Sequence, residues 1–164
     1  MATKTSKRAG ESSTTVSVGI RIDPKIKFSL DIMGRLQKRS LTAVIEWAIS
    51  NAIANQKVDL DPTVTLSLDF VIDRIWSTDE STRFVNLCFD MPQALTYDEL
   101  RKWETIKVSS VFWYTRPDGS YDVGDEYINL SAVRSGWHSL GEHVEKYKSS
   151  TTVVPIYESQ IVPL

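Results

Sequence analysis

The sequence predicts an α+β fold in two parts: a short strand–helix–helix unit that completes its core as an intertwined dimer, then a small α+β domain of helices and a β-hairpin. Three observations predict it. Val16, Val18, Ile20 and Ile22 alternate with Ser17, Gly19 and Arg21, the period of a strand with one buried face. Two apolar stripes of helical spacing follow before residue 56, and the later residues show a second, independent set of caps and turns. Charge divides in the same way: residues 1–58 carry ten Lys or Arg against four acids, about +6, while residues 59–164 carry nine against seventeen, about −8. Only the front end suits phosphate; the acidic rear would be repelled by it.

At 164 residues and 41% hydrophobic content, the chain can bury one moderate core, or a very small one plus a second of about 100 residues. Residues 1–15 are rich in Ser, Thr and Lys without periodicity, which predicts a disordered basic arm. They lack the apolar run of a secretory leader, and no apolar stretch is long enough to span a membrane, so a cytoplasmic protein is expected. The single cysteine, Cys88, has no partner for an internal disulfide.

The strand ends at Asp23-Pro24, a good N-cap followed by a residue suited to the first helical position. Ile26, Leu30, Met33 and Leu36 then recur at helical spacing, with Lys25, Lys27, Arg35 and Lys38 mostly elsewhere on the surface. Ser40 offers a second cap, before a broad apolar face of Leu41, Val44, Ile45, Ala48, Ile49, Ala52 and Ile53. About 40 residues in this order cannot enclose a core, and a lone strand has two unpaired edges. Two copies pairing their strands and interleaving four helices solve both problems. The expected dimer core includes Val18, Ile20, Ile22, Leu30, Ile45 and Ile49.

Residues 16–55 resemble the ribbon-helix-helix family of Arc, MetJ and CopG-type repressors. The resemblance is carried by Arg21-Ile22-Asp23-Pro24, by the Arg39-Ser40 turn, and by Ala43, Ile45, Ala48 and Ile49. Lys38 departs from it, standing where the family often has glycine at the end of the first helix. The resemblance implies a domain over residues 16–56 that inserts a two-stranded ribbon into the major groove of operator DNA, as a dimeric transcriptional repressor. Matched residue by residue, it assigns base contacts to Ser17, Gly19 and Arg21, with Arg21 able to grip guanine through two parallel hydrogen bonds. It sets the start of the second helix (Ser40, Leu41, Thr42) against the DNA backbone, where free N–H groups and the helix dipole favour a phosphate oxygen. Lys38 and Arg39, and Lys4, Lys7 and Arg8 of the arm, would add charge there. Two further readings share this front end: an antitoxin-like protein that captures another protein and regulates its own promoter, and a plasmid or phage segregation accessory factor. An ordinary α+β domain with Arg21 merely exposed is the plainer alternative.

Behind a polar hinge at residues 56–62, an acidic α+β domain over residues 63–148 is expected to serve assembly, or to meet a protein or small-molecule partner. Val64, Leu66, Leu68 and Phe70 alternate like a strand, although residues 70–76 also permit a helix. Ser77-Thr78-Asp79-Glu80 and Thr96-Tyr97-Asp98-Glu99 both have capping-box spacing and predict two helices, one carrying Phe84, Leu87, Cys88 and Met91 and ending at Pro92, the other carrying Leu100, Trp103 and Ile106. A hairpin is expected from a β-rich run at residues 108–115, a turn at 116–119 and a return over 120–130, followed by a helix capped by Ser131. Residues 149–164 read as an extended tail that lies over another surface. No catalytic, nucleotide-binding or metal-binding spacing stands out: His138 and His143 read as surface histidines, and Asp122, Asp125 and Glu126 as a solvated strand. Neither an enzyme nor a cofactor is expected. Trp76, Trp103, Trp113 and Trp137 are assigned to the rear core, with a ligand pocket or protein-binding surface as the alternative.

Overall fold

A computed structural model describes residues 18–61 and 63–162. Among these the fold is mixed α and β, and the chain divides into two compact units, one ending at Ile49 and one beginning at Ser50.

In the first unit, residues 18–23 have no strand partner among the described residues. Asp23 caps helix α1 (Pro24–Gln37) by accepting from the Lys25 N–H at 2.8 Å, with Pro24 opening the helix. The helix ends in a left-handed turn at Lys38, with φ 53° and ψ 43°. There the Lys38 and Arg39 N–H groups return to the carbonyls of Arg35 (3.4 Å) and Gly34 (2.9 Å), the paired bonds of a Schellman turn. A Cβ on Gly34 would stand 3.1 Å from the Arg39 carbonyl, so glycine lets this turn fold tightly over α1. Ser40 then caps α2 (Leu41–Asn55), its Oγ accepting from the Ala43 N–H at 3.2 Å. Val44 is fully buried against this turn.

After α2 ends, the second unit forms a hairpin rather than a hinge. β1 (Lys57–Asp61) pairs antiparallel with β2 (Val64–Ser67), with a bulge between Asp59 and Asp61. The alternative reading of residues 70–76 holds, since α3 (Leu68–Ile75) begins directly after β2. α4 (Glu80–Asp90) is capped by Asp79 and not by Ser77, because Asp79 Oδ1 accepts from the Thr82 N–H at 2.8 Å, while Ser77 Oγ accepts from the Asp79 N–H. α5 (Tyr97–Val108) has the complete Thr96–Glu99 capping box.

Residues 108–130 do not form the expected hairpin. Val108 still belongs to α5, Ser110–Phe112 is a 3-10 turn, and a single bridge joins Trp113 to Ile128 around a loop closed by Arg116 and Ser120. Phe112 and Trp113 turn into the core, which keeps this run from lying flat as a strand. The final helix is two: Asn129, not Ser131, caps α6 (Leu130–Ser135), and after Gly136 α7 runs over Trp137–Lys146. A Cβ on Gly136 would lie 3.2 Å from both Phe112 and Ile161, so the break is where the tail and the 3-10 turn press closest.

The rear core gathers Phe84, Val85, Trp103, Ile106, Phe112, Trp113 and Leu140 from these elements. The tail closes it: Ile156 is buried, its N–H reaching Ser109 Oγ at 2.9 Å, and the Val162 N–H reaches Ser139 Oγ at 3.0 Å. His143 is buried rather than on the surface, its Nε2 at 2.9 Å from the Val154 carbonyl; His138 is exposed beside Glu142. Of the tryptophans, Trp103 and Trp113 are core, Trp137 is half-buried, and Trp76 is exposed. No helix among the described residues is long and apolar enough to cross a membrane.

Candidate nucleic-acid interface

The described positions assigned to DNA fall on two stretches of the first unit at opposite ends of α1, residues 18–23 and the α1–α2 turn. Within the first, Val18 and Ile20 are 76% and 61% exposed, and Ile22 is exposed too. Three apolar side chains at alternate positions thus lie open in one chain, with Gly19 and Arg21 between them. Arg21 is exposed and has no ion-pair partner among the described residues, and a Cβ on Gly19 would meet nothing. Ser17, Lys4, Lys7 and Arg8 lie outside the described residues.

On the helices of this unit, Ile26, Phe28 and Leu36 of α1 and Ile49 of α2 are exposed as well, whereas Leu30 and Ile45 are half-buried. Of the six residues assigned to the dimer core, none is fully buried within one chain.

At the turn, a shallow groove is lined by Arg35, Lys38 and Arg39 together with Leu30, Gly34 and Leu41. None of the three cations has a carboxylate partner among the described residues; Asp31, on the rim, is taken by Lys27 at 2.7 Å. The Schellman turn fixes where Lys38 and Arg39 leave the backbone. The Ser40 cap leaves the N–H groups of Leu41 and Thr42 at the open end of α2, without acceptors inside the helix. The residues carry no acid–base or nucleophilic pair here; what they offer is positive charge, N–H donors and an apolar flank.

Sequence reasoning identified the caps and the cations of this region but not Gly34, whose role is visible only when Arg39 and Val44 are seen against it. Among the described residues no cluster of histidine, cysteine and acidic side chains is arranged to hold a metal. Comparison with protein-family models, with curated proteins and with solved structures found no match.

Proposed function

We propose that the chain is a dimeric, sequence-specific DNA-binding regulator, a repressor that occludes its operator, with the first unit as the reader. The observation that carries this reading is the combination at residues 18–41: an alternating apolar edge with no partner among the described residues and, at the other end of α1, three cations free of carboxylates. A second copy would pair the 18–22 segments and cover their apolar side, turning Gly19 and Arg21 outward as one ribbon. Fully burying side chains such as Val18, Ile20 and Ile22 contributes roughly 1.5–3 kcal/mol each, an upper estimate that still favours pairing over exposure. Arg35, Lys38, Arg39 and the start of α2 then flank the ribbon and meet phosphate, which positions the reader, while Arg21 reads base edges.

The test is binding of the full chain to the DNA immediately upstream of its own gene, measured by fluorescence anisotropy across a salt series with competitor DNA. Preferential, salt-sensitive binding supports the reading, and Arg21→Ala should weaken specific binding by roughly 1–3 kcal/mol for each guanine it grips, without loss of helix content. Ile20→Asp should instead abolish the dimer, because an unpaired charge would enter the shared core. Failure to bind at low salt, or an Arg21→Ala variant that unfolds, overturns it.

A further inference from the structure

The second unit has an open groove of about 540 Å³, inside the usual range for small-ligand sites, bordered by α3, α4, α5 and α7. Its walls are largely apolar, from Ile72, Ile75, Phe84 and Leu87, with Trp76 and Trp137 also in the lining. Trp76 is 64% exposed, an unusual place to leave the largest apolar side chain unless something covers it.

The cations in the groove decide what suits it. Arg83 lies with its Cζ 5.1 Å from the Trp76 ring centre, and Lys102 with its Nζ 4.2 Å from that of Trp137 and 5.8 Å from that of Phe84. Neither has an ion-pair partner among the described residues, and Arg83 is steadied by donating to the Ser77 carbonyl at 2.7 Å. Two carboxylates also border the groove. Glu99 Oε2 is engaged by the Thr96 N–H and hydroxyl of the capping box, and Glu80 lies in the first turn of α4, where the helix dipole offsets its charge. One face of Trp76 and one of Trp137 are therefore covered by the chain's own positive groups, which would repel a cationic ligand, while Trp76 stays largely open. An anion can approach Lys102 or Arg83 from the side away from the ring while an apolar body lies along Trp76 and Ile72.

We propose that this groove binds a small planar aromatic carboxylate, its ring against Trp76 and its carboxylate on Lys102 and Arg83. The site belongs wholly to the second unit and stands independently of DNA binding. The geometry makes charge on the ligand, and not apolar area alone, the requirement for binding. Isothermal titration calorimetry of the full chain, without DNA, tests this with benzoate, 2-naphthoate and indole-3-acetate against the corresponding uncharged amides. At least one carboxylate should bind saturably, at least tenfold more tightly than its amide. Lys102→Gln should lose that preference, and Trp76→Ala, a change at an exposed position, should weaken carboxylate and amide together. Saturable binding by none of the carboxylates, equal binding of acid and amide, or an unchanged preference in Lys102→Gln overturns the proposal.

Discussion

Replacing Lys38 with glycine should stabilise the first unit while weakening the DNA binding proposed for it, and the two effects separate conformation from charge. Lys38 sits at φ 53°, a left-handed conformation that costs a residue with a Cβ about 1–2 kcal/mol. Glycine removes that cost but carries about 0.5–1 kcal/mol of extra entropy into the unfolded chain. The balance is about 1 kcal/mol in favour of Lys38→Gly, about fivefold in an opening equilibrium. Amide hydrogen exchange of the full chain, followed in peptides covering α1 and the turn, reads this directly, the Arg39 N–H bonded to Gly34 being the most local reporter. Lys38→Ala is the control: it loses the charge but keeps the left-handed cost, so its protection should stay within about twofold of the parent. Both variants should lower the salt slope of DNA binding equally, by about 0.9 for each phosphate no longer neutralised. Equal protection in the glycine and alanine variants would refute the conformational argument.

Three further outcomes follow from the second unit. Ser109 is buried, and its hydroxyl donates to the Thr105 carbonyl while accepting from the Ile156 N–H; Ser109→Ala strands that buried N–H, so the unit should lose about 1–3 kcal/mol in urea melts and its tail should be cut faster by protease. Burial pushes the Cys88 thiol up to about 12, with Glu99 adding to the effect, leaving roughly one part in 10⁴ as thiolate at pH 8; a disulfide exchange reagent should react with it only once urea opens the unit. Hydrogen bonds from the Ser81 and Thr82 side chains and the Thr82 N–H hold the Asp79 carboxyl well below its ordinary 3.8, so its contribution is present above that value and lost as pH falls beneath it. Asp79→Asn, which can still cap α4, should flatten the acid limb of a stability–pH curve below pH 4.

The parts legible in the sequence are those decided within a few residues. Asp23 with Pro24, Ser40, and Thr96 with Glu99 each satisfy a helix start through a side chain two or three positions away, and all were readable. Strand β1 was not, because Val58 and Leu60 are its only apolar residues and its partner β2 exists only after the turn is made. Residues 108–115 depart from the strand that their composition predicts for the opposite reason. Their aromatic and β-branched side chains do suit strands, but β-propensity largely measures packing on a half-buried surface, and Phe112 and Trp113 found that packing in a helical core. His143 became buried only through a carbonyl eleven residues later in the tail, a partner no periodicity announces. At the candidate interface, Arg21, Lys38 and Arg39 were visible as charge, whereas the turn geometry that positions the last two depends on the missing side chain of Gly34, which leaves room for the Arg39 carbonyl at close range.

The two units meet the problem of an incomplete core in contrasting ways. The second unit recruits its own tail: Ile156 enters the core, and serine hydroxyls at 109 and 139 accept the N–H groups that the tail would otherwise bury unpaired. The first unit has no such segment among its described residues. Val44 is buried, but Val18, Ile20, Ile26, Phe28 and Ile49 remain in water, and a helix pair with one buried large side chain cannot offset the entropy of ordering its backbone. Missing apolar cover can come from a partner, and the cheapest partner for an alternating edge is another alternating edge, since it satisfies the backbone as well as the side chains. That pairing would place two copies of Arg21 on the ribbon's outer face, and a reader with twofold symmetry calls for a site with the same symmetry, so the operator should contain an inverted repeat.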